Sequence, residues 1–310
     1  MDYERLTEAY SAMEQTRSRL EIATLLAGLF RDTPPEELVA VAYLCLGKLG
    51  PAYDSREVGL SDKSVLRTLA LASGAPLDNL QANYAKAGDI GLVAEEALAA
   101  KSQQPLFGSP LTVSRVWERL HALSLETGSG SQERKFRALA ELLHDGTPQD
   151  ARYLCRTAVG KLRLGFSQML LVDGLAEAFG SREERNLVEA AYNRHPDIGW
   201  LAQRTAADFS SLADVRATLG IPLRPMLGER LSSAEAVLEK HDGESSFEWK
   251  YDGLRVQAHL LEGGTRLFSR SLEDLTPQFP DVVGALEQVL PTGVIVEGEA
   301  LAIDEAGNLL

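Results

Sequence analysis

Cysteine is nearly absent from these 310 residues: Cys45 and Cys155 are the only two, and they offer neither a disulfide framework nor the close spacing of a zinc site. Each reads as a buried, reduced thiol. Five histidines form no cluster, which argues against a zinc centre built by the protein. Long apolar runs are missing too, because Ile22 to Phe30 is interrupted by Thr24 and closed by Arg31, too short for a membrane span or a signal segment. A cytoplasmic protein with no membrane partner is expected. Positive charge is scarce, 31 Lys and Arg against 45 Asp and Glu for a net charge of -14, which argues against a general nucleic-acid sponge. The deficit is uneven: residues 219 to 310 carry 7 basic and 16 acidic side chains, residues 1 to 218 carry 24 and 29. The N-terminal part is the less hostile to an anion.

What is present is enough apolar material, 45% of the residues, to bury a large core, and a length that suggests about two domains. Residues 1 to 218 read as helical and duplicated, with copies at about 3 to 100 and 110 to 205. Thr33-Pro34-Pro35-Glu36 and Thr147-Pro148-Gln149-Asp150 look like helix starts, each followed by Tyr-Leu-Cys (43 to 45, 153 to 155) and Gly-Lys-Leu (47 to 49, 160 to 162). Residues 58 to 74 align with 164 to 180, and Asp-Ile-Gly recurs at 89 to 91 and 197 to 199. Two copies are too few for a solenoid, so a compact all-α domain with pseudo-two-fold symmetry is expected.

The copies differ where function could enter. The second lacks the insertion Gly50 to Arg56, and from Ala151 to Val172 it carries Arg152, Arg156, Lys161 and Arg163 without an acid. Gly128-Ser129-Gly130-Ser131-Gln132, leading into Arg134, Lys135 and Arg137, is a second basic stretch. Each reads either as a solvated helix face or as a surface for phosphates, in which case binding would be insensitive to sequence and sensitive to salt. Between the copies, residues 101 to 110 (KSQQPLFGSP) read as a linker whose Leu106-Phe107 pair either docks a partner or folds back.

Pro222 and Pro225 end the helical pattern, and residues 219 to 310 form a different domain. Leu254 to Leu260 alternate as a half-buried strand with Arg255, Gln257 and His259 on its polar face, and Glu262-Gly263-Gly264 turns it into a hairpin with 265 to 270. Thr276-Pro277 reads as the cap of a helix with Val282, Val283, Leu286 and Leu290 inward. The next strand sets Ile295, Glu297, Glu299 and Leu301 on one face. Just before the first strand lies FEWKYDGLR, 247 to 255. Making a lysine neutral at pH 7 costs roughly 4 to 5 kcal/mol at an exposed position, and surroundings that lower this make it a nucleophile. Lys250 is therefore the leading catalytic candidate.

In this order the motifs resemble those of the ATP-dependent DNA ligases, most closely the archaeal type. EWKYDGLR is similar to the family's nucleophile motif, LFSR at 267 to 270 to its second arginine motif, and VEGEALAID at 296 to 304 to its third. IPLRPML looks like the entry to the catalytic domain, and GSGSQERK, VGKLRLG and the Asp-Ile-Gly segments look like the DNA-binding domain, so the likeness spans the chain. It implies a helical DNA-binding domain followed by the beginning of an α+β, ATP-grasp-like nucleotidyltransferase domain. The implied activity is that of an enzyme sealing 5'-phosphate/3'-hydroxyl nicks in replication, repair and recombination. Lys250 would take AMP from ATP, with Mg2+ as metal and no protein ligand assigned to it, then pass AMP to the 5'-phosphate, which the 3'-hydroxyl attacks. Glu248 would read the adenine amino group, Glu299 the ribose hydroxyls, and Arg255 and Arg270 the ribose and phosphates. Asp252 would orient the lysine or support the metal, Gly253 would be a further supporting residue, and Glu297 would stand behind the site or face solvent.

For the helical domain the resemblance implies non-sequence-specific contact with nicked duplex through Gly128, Ser129, Gly130, Ser131 and Gln132 and through Lys161, Arg163 and Gly165. Gln103, Leu106 and Phe107 sit where archaeal relatives carry a sliding-clamp peptide. A monomer is expected. The later ligase motifs and the C-terminal oligonucleotide-binding (OB-fold) barrel have no counterpart in the sequence, so the 310 residues alone are expected to show little self-adenylation. Alternatives are an RNA ligase or capping-type nucleotidyltransferase, which would not carry the duplicated domain, and a non-catalytic nick-binding module.

Overall fold

The computed structural model describes residues 1–54, 56–100, 110–165, 167–226 and 228–304, which divide into two compact units. One comprises Met1–Tyr192 with Asp197–Val215, the other Asn193–Pro196 with Arg216–Leu310. The first is helical. Helices α1 (Tyr3–Glu14), α2 (Arg19–Asp32), α3 (Leu38–Leu44), α4 (Asp62–Ser73), α5 (Leu77–Ala87) and α6 (Ile90–Ala99) recur in the same order as α7 (Val113–Leu125), α8 (Ser131–Asp145), α9 (Pro148–Ala158), α10 (Gln168–Phe179), α11 (Arg185–Arg194) and α12 (Ile198–Ala207).

The two sets interleave. Helix α2 packs on α10 while its counterpart α8 packs on α4, and α6 packs on α9 while α12 packs on α3. Such reciprocal exchange is a two-fold relation. At the axis equivalent residues meet: Asp2 and Thr112, the N-caps of α1 and α7, form an antiparallel bridge in which Tyr3 N–H donates to Leu111 O at 2.8 Å and Val113 N–H to Met1 O at 3.0 Å. Because each copy lends helices to the other, the apolar stripes close over one continuous core, from Leu6, Tyr10 and Phe30 to Tyr153, Leu171 and Tyr192. Neither half could bury its stripe alone.

Two expectations about the repeat need correction. Thr33 caps nothing ahead of it: it ends α2, its hydroxyl donates to Leu29 O at 2.7 Å, and a 3-10 turn at Pro35–Glu37 leads into α3. Thr147 does cap, accepting from Asp150 N–H while the Asp150 carboxylate accepts from Thr147 N–H. The Tyr-Leu-Cys match is also not the structural register. Tyr43 stands where Arg156 stands in the other copy, the same offset of 113 that relates Gly47 to Gly160. Each lies under the equivalent glycine of an Asp-Ile-Gly segment: a Cβ on Gly199 would fall 2.4 Å from the Tyr43 ring, and one on Gly91 2.7 Å from Arg156 Nε. Cys45 and Cys155 are therefore not equivalent, though both are buried and burial pushes each thiol up to about 12.

The second unit is a small α+β structure: α13 (Ala234–Lys240), then β1 (Leu254–Leu261), β2 (Gly264–Ser269), α14 (Pro280–Val289) and β3 (Val294–Ala300). The sheet is antiparallel in the order β2-β1-β3. Val256, Ala258, Leu260 and Leu267 face Val283 and Leu286 of α14. Thr276 is not the cap of that helix, which begins with Pro280; its hydroxyl accepts from Leu267 N–H at 2.9 Å and ties the preceding turn to β2. The other face of β1 is not solvated as its polarity suggested. Gln257 is 5% exposed and His259 0%, with residues 220–223 hydrogen-bonded to them. No strands of an OB-fold barrel occur among the described residues, and no helix there is long and apolar enough to cross a membrane.

Candidate functional site

The antiparallel register decides which charged groups share a face. Arg255 lies directly opposite Glu299, and Gln257 opposite Glu297, so all four project from the side of the sheet away from α14. Arg255 nevertheless pairs diagonally, its guanidinium donating to Glu297 Oε2 at 2.5 Å, while Gln257 Nε2 donates to Glu297 Oε1 at 2.7 Å. Burial would raise the Glu297 carboxyl's pKa; the Gln257 hydrogen bond and the Arg255 charge outweigh it and hold the group below the usual carboxylate range. Glu299 is exposed and has no such partner among the described residues.

Gly253 explains how the lysine segment reaches this face. A Cβ there would lie 2.5 Å from Ala300 O and 3.0 Å from Glu299 Cγ, so the chain passes over the end of β3 with room for hydrogen only. Glu248, Trp249, Lys250, Tyr251 and Asp252 precede it in irregular, exposed structure, with Trp249 87% exposed. The Lys250 ammonium has no hydrogen-bond or ion-pair partner among the described residues, and Arg270, one residue past β2, is likewise exposed. The structure thus brings Arg255, Glu297, Glu299 and Gly253 together, and leaves Glu248, Lys250, Asp252 and Arg270 on open chain.

No group of three or more His, Cys, Asp or Glu that could hold a metal occurs among the described residues. A divalent ion would therefore need oxygens from elsewhere, such as a bound polyphosphate.

In the helical unit, the second-copy loop after α9 turns through left-handed backbone at Gly160, Arg163 and Gly165, with φ of 68°, 61° and 74°. Arg163 holds that conformation without glycine's freedom, and its side chain lies 3.6 Å from Asp89. Lys161 lies 3.4 Å from Asp62, and both cations remain about half exposed. Arg152 and Arg156 do not belong to this surface. Arg156, 4% exposed, donates to Asp89 and Glu14, and Arg152 to Glu14 and Glu95. The acids missing from the local sequence come from the other copy.

Gly128 and Gly130 turn the chain into α8, which starts at Ser131, with Ser129 and Gln132 beside them. Arg134 bonds Glu126 at 2.6 Å and Arg137 bonds Glu133 at 3.0 Å, whereas Lys135 turns inward and donates to Val58 O at 2.8 Å. Gly47 packs on Leu162, so the first-copy segment 47–60 touches both basic stretches. Gln103, Leu106 and Phe107 lie outside the described residues. Sequence reasoning missed Asp89, Glu14 and Asp62 as partners, because nothing local links them to the arginines and lysine they meet.

Residues 2–176 match the family model described as DNA ligase N terminus, and residues 225–310 match that of the ATP dependent DNA ligase domain. The chain is similar to DNA ligase 2 of Thermofilum pendens, 42% identical over 320 residues, covering 100% of this chain and 53% of that protein. It is also similar to DNA ligases of Pyrobaculum arsenaticum, 42% identical over 316 residues, and Thermoplasma volcanium, 36% over 312, again along the whole chain and 54% and 53% of theirs. The chain spans about half the length of the relatives it matches.

Proposed function

The chain belongs to the ATP-dependent DNA ligases, and from that premise we propose that it supplies the DNA-binding domain and the first part of the adenylating domain of an enzyme that seals nicks in duplex DNA. Lys250 attacks the α-phosphate of ATP and carries AMP; the AMP moves to the 5'-phosphate at the nick, and the 3'-hydroxyl then displaces it. One observation carries this reading: Arg255 and Glu299 face each other across β1 and β3, beside the point where Gly253 packs the lysine segment onto β3. A cation and an unpaired carboxylate on one face suit a nucleotide's phosphates and ribose hydroxyls respectively. Glu248 reads the adenine, Arg270 joins Arg255 on the phosphates, and Asp252 orients the lysine.

Magnesium, when bound with the nucleotide, neutralises phosphate charge. Nicked duplex is gripped through backbone phosphates at Gly128 to Gln132 and at Lys161, Arg163 and Gly165, and the peptide holding Gln103, Leu106 and Phe107 docks a sliding clamp. Binding to a clamp that is unchanged by Phe107→Ala would remove that last assignment.

The test joins the chain to the C-terminal half of the Thermofilum pendens relative, supplies ATP and magnesium, and measures AMP on Lys250 and sealing of a nicked duplex. The expected result is an adduct and a sealed product, both lost in Lys250→Ala. An adduct that persists in Lys250→Ala refutes the assignment, and transfer to an RNA cap or RNA end alone favours the capping or RNA-ligase alternative.

A further inference from the structure

Gln257 and His259 are polar side chains buried beside the candidate nucleotide face, and every polar atom they own has a partner. Gly220 N–H donates to His259 Nδ1 at 2.9 Å. A backbone amide can only donate, so Nδ1 is unprotonated, Nε2 carries the hydrogen and it donates to Gln257 Oε1 at 2.9 Å. The same oxygen accepts from Leu223 N–H at 2.7 Å, which fixes the amide's orientation. Gln257 Nε2 then has two hydrogens to give, one to Leu223 O at 3.3 Å and one to Glu297 Oε1 at 2.7 Å. Glu297 Oε2 receives the Arg255 guanidinium. Reversing the amide would set two donors against each other at Leu223, so the whole chain of bonds has one direction.

We propose that Gln257 and His259 are positioning residues for nucleotide binding: they carry a fixed hydrogen-bond relay from the backbone of residues 220–223 through Glu297 to the Arg255 guanidinium. This rests on the reading that Arg255 contacts the nucleotide. Arg255 is partly exposed and a lone ion pair on a sheet surface holds an arginine loosely. Glu297 is itself held by Gln257, directly opposite it, so the arginine meets an acceptor that cannot swing away. The relay starts in the segment just before residue 225, where the match to the ligase domain begins. A displacement of that segment breaks the first bonds and loosens Arg255 from within.

Two measurements test the relay. In the 310-residue chain, nitrogen-15 NMR should find His259 with a bare Nδ1 and a protonated Nε2, and the Arg255 guanidinium rotating slowly; a freely rotating guanidinium or the opposite tautomer overturns the proposal without any variant. In the joined full-length polypeptide, Gln257→Met, matched in size but unable to bond Glu297, should raise the KM for ATP in AMP transfer to Lys250 by roughly tenfold with kcat changed less than about threefold. Equal KM values in a folded Gln257→Met variant refute it. Absence of AMP on Lys250 in the unsubstituted polypeptide would instead refute the nucleotide reading, and the NMR result would then decide the relay by itself.

Discussion

Tyr43 and Arg156 occupy the same place in the two copies of the helical unit, and each is bound by the capping aspartate of the helix that crosses it. Tyr43 donates its hydroxyl to Asp197 at 2.5 Å, and the Arg156 guanidinium donates to both oxygens of Asp89. The same aspartates cap α12 and α6 through Trp200 N–H and through Gly91 and Leu92 N–H. One frame therefore accepts a neutral phenol in one copy and a buried cation in the other, and the difference is set by Glu14, which reaches only the second.

Removing the two partners should have unequal effects. Arg156→Met leaves Asp89 and Glu14 partly buried with Arg163 and Arg152 as the cations near them among the described residues, which costs about 3 kcal/mol or more. Tyr43→Phe leaves Asp197 one hydrogen bond short, about 1 to 2 kcal/mol. Thermal unfolding should drop by roughly 10 °C for the arginine and by a few degrees for the tyrosine. Equal drops would mean that the ion network adds nothing beyond one hydrogen bond.

The glycines above these residues should differ in tolerance. A Cβ on Gly199 meets the Tyr43 ring, whereas one on Gly91 lies 2.7 Å from the Arg152 carbonyl, which is backbone and cannot turn aside. Alanine gains about 1 kcal/mol of helix propensity at each site, and overpacking removes about 1 to 3. Gly91→Ala should thus be clearly destabilising in a urea titration, and Tyr43→Ala should rescue Gly199→Ala while nothing comparable rescues Gly91→Ala.

Gly253 offers a test that separates activity from folding. A methyl group 2.5 Å from Ala300 O would lift the lysine segment, none of whose side chains belongs to the apolar contacts between the sheet and α14, off the end of β3. AMP transfer to Lys250 in the joined polypeptide should fall by about 100-fold or more, the scale of a misplacement near 1 Å, with the melting temperature almost unchanged. A rate within a few-fold of the parent would show that the close approach has no part in aiming Lys250.

His259 makes the second unit sensitive to acid. Burial, and then the nearby Arg266 charge, lower its pKa to about 4 from an ordinary 6.5. Between these values the unfolded chain binds the proton and the folded chain does not, so stability is full above pH 6.5 and is lost as pH falls towards 4. The upper limit of that loss is about 3 kcal/mol. Hydrogen exchange of the β1 amides from pH 7 to 4.5 should follow this slope, and His259→Gln should flatten it; an unchanged slope would assign the acid sensitivity to another group.

Much of this was legible along the chain. The offset of 106 between residues 58–74 and 164–180 reappears as the matched pair α4 and α10, because both helices are set by apolar spacing; Ser61 caps α4 by accepting from Ser64 N–H, whereas the equivalent Ser167 makes no side-chain capping bond. The hairpin turned at Glu262-Gly263 as expected, with Gly264 just after it at φ 120°. Other positions misled. Alternation sent Gln257 and His259 to solvent and a run without acids sent Arg152 and Arg156 to a basic surface, and for these four a partner distant in sequence claimed the polar group; Thr33 and Thr276 read as helix starts, yet their hydroxyls bond Leu29 O and Leu267 N–H instead.

Composition, caps and periodicity by themselves determined a duplicated helical unit followed by a small α+β unit, and the order of motifs around Lys250 determined the family, since these depend on neighbours within a few residues or on linear order. Only the tertiary structure decided that the copies interleave about Asp2 and Thr112, that Tyr43 corresponds to Arg156, and that Arg255 pairs with Glu297 across from a Glu299 that has no partner among the described residues. Those outcomes depend on desolvation and on which strand or helix arrives opposite a charge. A buried donor or acceptor must find a partner wherever the fold brings one, and nothing in the local sequence names it.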